Sequence, residues 1–166
     1  EGGEGVEVEV GGDLRKLTNS DTVGGAVALA AKKMLSEIPE ELNRRNGNGM
    51  LRKAGRYSDA LVVVLFQEVD KFNILLWTCV DTLERLLKAV VGQIPMSVEL
   101  DHMYKCVEMK RVPEMWGRVG FASLKGLGGW CADLRRRVEF FREWLVDGRV
   151  KSYLLPAFFF PQGFLT

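Results

Sequence analysis

One histidine, His102, serves the whole chain of 166 residues. That scarcity leaves little material for His-based acid–base catalysis or a His-rich metal centre. Cysteine is almost as sparse: Cys79, Cys106 and Cys131 lie far apart in sequence, and no CxxC pair occurs. A zinc knuckle is therefore not expected, and the odd count suits a reduced compartment. The dipeptide Gly-Lys is absent, so there is no GxxxxGK[ST] loop to cradle phosphates. No apolar run approaches the roughly 18 residues that span a bilayer; Leu61–Phe66 and Leu154–Phe160 are the longest. The N-terminus is acidic and has no Met, unlike a secretory signal and in keeping with a segment of a longer chain. Neither sign of charge dominates: 23 basic residues face 22 acidic ones. A whole-chain electrostatic case for nucleic acid or membrane fails.

What remains is 47% hydrophobic and 27% charged, an ordinary globular balance. Residues 1–13, EGGEGVEVEVGGD, read as a flexible acidic linker. Asp21 and Thr22 offer a helix cap. Val23, Val27, Ala30, Met34 and Ile38 follow at spacings of three and four, one face of a helix that Pro39 ends. NRRNGNG, residues 43–49, is loop chemistry. From Ser58 or Asp59 the same period runs through Leu61, Leu65, Val69, Phe72, Leu76, Cys79, Leu83, Leu87 and Val90 to a stop at Gly92 and Pro95. A second stripe, Val62, Val69, Leu75, Val80 and Leu86, makes this helix apolar on more than one side, so it needs partners on two faces.

Ser97 caps a further helix with Leu100, Met103, Tyr104 and Val107 inward, broken at Val112-Pro113. Pro113 opens a short helix with Met115 and Trp116. Ser123 is read as the cap of the next, whose stripe is Leu124, Leu127, Cys131, Leu134, Val138, Phe141 and Leu145, ending at Gly148. The fold expected is all-α: a helical bundle with one long central helix (about 58–92) behind a disordered acidic N-terminus.

Few constellations carry chemistry. Val62-Val63-Val64-Leu65-Phe66-Gln67-Glu68 imitates a Walker B strand, but Gln67 holds the metal-binding Asp position and the period afterwards is helical. Arg135, Arg136 and Arg137 fan over 200° of a helix and read as a solvated face with local pairs such as Arg135 with Glu139. His102 has no nucleophile at readable spacing and reads as a surface residue. The three cysteines read as half-buried helix residues. Gly126, Gly128 and Gly129 read as close helix packing. Trp116, Trp130 and Trp144 recur every 14 residues and read as core or interface anchors. The tail ends in Phe158, Phe159, Phe160, Phe164 and Leu165 with no later helix to cover them, so poor solubility is expected.

Several of these segments together resemble the C-terminal region of dynein heavy chains. They are VPEMW at 112–116, Ser123-Leu124-Lys125, Leu127, Trp130, Asp133-Leu134, Arg137, Phe140, Trp144, Gly148 and FFFPQGFLT at 158–166. LFQEVDKFNILL at 65–76 resembles the family's LVQE…RFNxLL helix, and MSVEL at 96–100 its MSxEL turn. Gly126 and Ala122 stand where the family usually has proline. The form of the FFFPQGFLT segment is closer to axonemal than to cytoplasmic heavy chains.

The resemblance implies a domain plan: a linker over 1–20, the small helical part of the sixth AAA+ module over 21–110, and the start of the C-terminal domain over 111–166. It casts Phe72, Asn73, Trp116, Leu124, Trp130, Trp144, Phe159, Phe160, Pro161, Gln162 and Phe164 as packing or interface positions. It implies a structural segment of an ATP-driven, minus-end-directed microtubule motor, with no catalytic, cofactor or metal residue here and with ATP and Mg bound elsewhere in the parent. The implied partners are the rest of the heavy-chain ring and, through the parent, intermediate and light chains and microtubules, with no nucleic acid and no membrane. The implied location is the cytoplasm and cytoskeleton, in the axoneme of a cilium or flagellum. The rival expectation is a stand-alone helical adaptor derived from the same region.

Overall fold

The computed structural model describes residues 23–43, 59–147 and 157–159. Five helices occupy them: α1 (Val23–Glu37), α2 (Asp59–Val90), α3 (Val98–Glu108), α4 (Glu114–Val119) and α5 (Leu127–Asp147). The architecture is all-α, as the periodicity requires. The expected N-terminal linker, the cap at Asp21 and Thr22, most of the NRRNGNG loop and the stop at Gly148 lie outside the described residues.

α2 is the organiser. At 32 residues and about 1.5 Å per residue it is close to 50 Å long. Its inner stripe, Leu65, Val69, Phe72, Leu76, Cys79 and Leu83, is buried throughout, and Leu75 and Leu86 of the second stripe join it. One core cluster takes in residues of all five helices and of the 157–159 segment. The first stripe of α1 is only partly realised: Val27 is buried, while Ala30, Met34 and Ile38 are partly buried.

The helix ends follow local chemistry. After α2, Gly92 takes φ 77°, its N–H bonds the Ala89 carbonyl, and the Gln93 N–H reaches the Lys88 carbonyl. That is a Schellman stop, and it needs the left-handed backbone that glycine adopts without a Cβ penalty. α3 starts where expected, with the Leu100 N–H bonding Ser97 Oγ at 3.2 Å. It ends ahead of Val112-Pro113 in a second Schellman stop. There Lys110, at φ 56°, fills the position usually given to glycine, with Lys110 N–H to Val107 and Arg111 N–H to Cys106. The Lys110 carbonyl then accepts the Leu127 N–H at 2.9 Å, so the end of α3 fixes the start of α5.

Several expectations are corrected at this junction. α5 begins at Leu127, so Leu124 precedes the helix and is fully exposed rather than part of its stripe. Ser123 Oγ accepts the Lys125 N–H at 3.2 Å, a turn bond that serves no helix cap. Pro113 is the N-cap of α4 and not its first residue. Gly128 and Gly129 have no close helix against them, since an added Cβ at Gly128 meets nothing and one at Gly129 meets only the Lys125 side chain. Close approach holds at Gly126, where an added Cβ would stand 3.3 Å from the Lys110 carbonyl oxygen at the end of α3, and falls also at Gly120, where one would stand 2.5 Å from the Trp116 carbonyl oxygen. Cys79 is fully buried, against the half-buried reading; Cys106 and Cys131 are half-buried as expected.

Candidate functional site

The centre of the molecule is an aromatic socket built on α2 and α5. Phe72 of α2 and Phe141 of α5 face each other with ring centroids 5.0 Å apart. The 157–159 segment closes over them. Phe159 meets Phe72 edge-on at 4.5 Å, and Phe158 meets Phe141 at 5.1 Å and Trp144 at 5.8 Å. These spacings lie in the range where edge-to-face pairs add to plain burial. The system continues through Phe121, 6.2 Å from Phe159 and stacked 5.2 Å from Trp130, to Trp116, 5.4 Å from Trp130. Phe158 and Phe159 are therefore covered by the protein's own helices: Phe158 is 3% exposed and Phe159 half-buried. The expectation that both lie bare at the tail is corrected. α2 and α5 supply a slot of aromatic width, and burying a ring there removes it from water.

Polar groups lock the socket. Glu68 is 1% exposed; its Oε2 accepts the Phe159 backbone N–H at 2.6 Å, and its Oε1 accepts from Lys71 Nζ at 3.3 Å. A buried carboxylate needs such partners, and a charged acceptor gives the strong form of the bond. Trp116 donates its indole N–H to Thr82 Oγ1 at 2.9 Å, and the Thr82 hydroxyl donates to the Thr78 carbonyl at 2.6 Å. Asn73 clamps the segment that leaves α1: its Oδ1 accepts the Leu42 N–H at 2.8 Å and its Nδ2 donates to the Leu42 carbonyl at 3.0 Å.

The charged face of α5 is more structured than a solvated patch. Arg135 pairs with Glu37 of α1 at 2.8 Å instead of with Glu139, which takes Arg142 at 3.2 Å. The Arg142 guanidinium also donates to the Glu40 carbonyl. Rotation of the helix puts Arg135 over α1, away from the local partner that spacing suggested. The Arg137 guanidinium lies 4.0 Å above the Phe121 ring, a cation–π geometry. Its Nε is buried with no hydrogen-bond partner among the described residues, and burial pushes its pKa below the ordinary value against the pull of Asp133. Asp133 itself accepts from Lys125 at 2.7 Å and Arg136 at 3.0 Å, and the Lys125 bond leads in holding its carboxyl below the usual range. Burial pushes the Cys79 thiol far up.

The resemblance-derived positions are thus partly gathered. Phe72, Trp116, Trp130 and Trp144 are buried in one core, with Phe159 at its edge. Asn73 is a backbone clamp beside it, and Leu124 is remote and solvent-facing. Phe160, Pro161, Gln162 and Phe164 lie outside the described residues. Glu68, Thr82 and Phe121 complete the socket without having been singled out as its members. The signal for Glu68 was legible. It sits three residues after Leu65 and four before Phe72, a carboxylate in the register of a buried stripe.

On the opposite side of α2 three apolar side chains stand open among polar ones such as Gln67, Asp70 and Lys88. Val63 is 54% exposed, Ile74 55% and Trp77 62%. Among the described residues, no group of three or more His, Cys, Asp or Glu is placed to hold a metal ion, and no helix is long and apolar enough to cross a membrane.

An aromatic socket on a long central helix, closed by the 157–159 segment, defines an all-α helical bundle. Its kinship is plain from known proteins: the protein belongs to the dynein heavy chain family, and the family model for the C-terminal domain of dynein heavy chains matches residues 6–166. Dynein axonemal heavy chain 6 of Homo sapiens is 41% identical over 134 residues, covering 79% of this chain and 3% of that protein. Dynein axonemal heavy chain 1 of Homo sapiens is 37% identical over 133 residues, 80% of this chain and 3% of the relative. Dynein axonemal heavy chain 3 of Mus musculus is 35% identical over 136 residues, 82% and 3%. The sequence spans about 3% of the length of these relatives.

Proposed function

We propose that the protein acts as a structural segment of a dynein heavy chain, an ATP-driven, minus-end-directed microtubule motor, and packs the C-terminal domain on the AAA+ ring without performing chemistry itself. On this reading residues 21–110 belong to the small helical part of the sixth AAA+ module and residues 111–166 start the C-terminal domain, behind a linker over 1–20. Nucleotide and Mg bind elsewhere in the parent, and intermediate chains, light chains and microtubules are met through the parent. The axonemal names of the relatives favour the axoneme of a cilium or flagellum as the location.

The observation that carries the reading is the two-sided use of α2. Its inner face ties the 111–166 part, through α4, α5 and Phe158-Phe159, to the 21–110 part. Its outer face leaves Ile74 and Trp77 open in a way that suits packing on a further body. The experiment is co-purification of the protein with the remaining motor domain of a dynein heavy chain lacking this segment. The wild type should be retained, and an Ile74→Asp, Trp77→Asp double variant with unchanged helical circular dichroism should be released. Equal retention of both would refute the packing role. ATP hydrolysis by the purified protein that persists through gel filtration and disappears in Glu68→Gln would refute the absence of chemistry.

A further inference from the structure

The one histidine of the sequence stands beside one of its three thiols. His102 and Cys106 occupy positions i and i+4 of α3, stacked on one face of the helix, and His102 Nε2 lies 3.5 Å from Cys106 Sγ. His102 is exposed and Cys106 half-buried, so both ring nitrogen and sulfur can be reached from solvent. Cys79 is fully buried in the core and belongs to a different helix.

We propose that His102 and Cys106 form a two-ligand chelate for a thiophilic divalent cation, Zn2+ being the physiological candidate. Zinc takes imidazole nitrogen at about 2.0–2.1 Å and thiolate at about 2.3 Å in tetrahedral geometry, which sets the two donor atoms about 3.5–3.6 Å apart. The pair already holds that separation without a metal. The helix supplies the spacing, so little chain order has to be gained on binding. On coordination an Sγ–metal bond replaces the S–H bond, the thiol proton passes to water, and Nε2 gives its lone pair to the metal. Sulfur and metal keep their oxidation states. The surroundings are mixed in charge. Burial pushes the Cys106 thiol above its ordinary pKa, with Arg111 pulling it down and Glu114 pushing it up, so the metal must displace the thiol proton. Glu114 also feels His102 and is itself bonded to Arg118 at 2.7 Å. Among the described residues no third side chain completes a ligand set, so water fills the open positions. This makes an accessible, exchangeable site and not a structural zinc centre.

The test uses the full 166-residue protein with Zn2+ alone and with Cd2+ alone. Titration should give one ion per molecule, with a thiolate-to-metal charge-transfer band for Cd2+ in the ultraviolet. Zn2+ should slow alkylation of Cys106 by iodoacetamide, read peptide by peptide in mass spectrometry, while leaving Cys131 unaffected. Both His102→Gln and Cys106→Ser should weaken binding by ~10-fold or more, a scale reached even by changes around a metal's ligands, and neither should alter the far-ultraviolet circular dichroism. Binding that survives His102→Gln at full strength, or protection that appears at Cys131 in place of Cys106, overturns the proposal. So does a wild-type protein that binds neither ion at micromolar concentration.

Discussion

The two faces of α2 share a backbone, and both carry large apolar side chains, yet those side chains do different work: inward they are nearly continuous, outward they stand among exposed Gln67, Asp70 and Lys88. Inward, Phe72, Leu75, Leu76 and Cys79 touch protein on all sides and have no exposure beyond 1%. Outward, Ile74 and Trp77, interleaved with them, are more than half exposed. Hydrophobicity alone does not separate the two sets. What separates them is whether a neighbouring element of the same molecule reaches that angle of the helix. The inner face stabilises the fold; on the proposed reading, the open side chains of the outer face serve an assembly.

The largest effect should come from the inner face. Phe72→Ala removes a fully buried ring between Phe141 and Phe159 and should destabilise the protein by about 3–5 kcal/mol, read as a fall in urea midpoint. Next, Glu68→Leu takes the acceptor from the Phe159 N–H and should cost about 1.5–3 kcal/mol, the range for a bond to a charged group. Glu68→Gln, which keeps a carbonyl acceptor, should recover part of it. A Leu variant as stable as wild type would mean that the aromatic contacts alone seat the segment. Asn73→Ala frees the Leu42 backbone and should cost about 1–2 kcal/mol, with faster amide exchange at Leu42 as the local reporter.

The outer face should behave oppositely. Trp77→Ser should change stability by no more than about 0.5 kcal/mol, as surface substitutions do, while weakening association with the rest of the motor domain. A large loss of stability would show that the outer face is part of the fold. The smallest effect concerns pH. The Asp133 carboxyl is held low, first by its hydrogen bond to Lys125. Its contribution is therefore present above the ordinary Asp range of about 3.9 and lost as pH falls through the lower, folded value. Lys125→Met should flatten the acid limb of a stability-against-pH curve.

The helices were legible because a period of 3.6 with caps and stops is a local code. Ser97 and Gly92 did what their chemistry predicts. The local code fails where a contact from elsewhere decides a boundary or a pairing. Leu124 fits the α5 stripe by spacing, but the Lys110 carbonyl starts the helix at Leu127 and leaves Leu124 in solvent. Arg135 fits an i,i+4 pair with Glu139, but α1 brings Glu37 nearer. For the socket, the tryptophans announced a core, whereas the partner of Glu68, ninety-one positions away at Phe159, left no local trace.

Residue order was sufficient for the helical class, for the long α2 and for kinship with dynein heavy chains, because periodicity and motif spacing are properties of neighbours along the sequence. Only the packed structure showed that Val69, Leu75 and Leu86 of the second stripe enter the same core as the first, and that Val63, Ile74 and Trp77, in neither stripe, are left open. Only there did the Phe158-Phe159 segment prove to be covered by the protein itself. Burial is set by which elements meet in space, and contacts over ninety residues are invisible to a pattern that repeats every three or four.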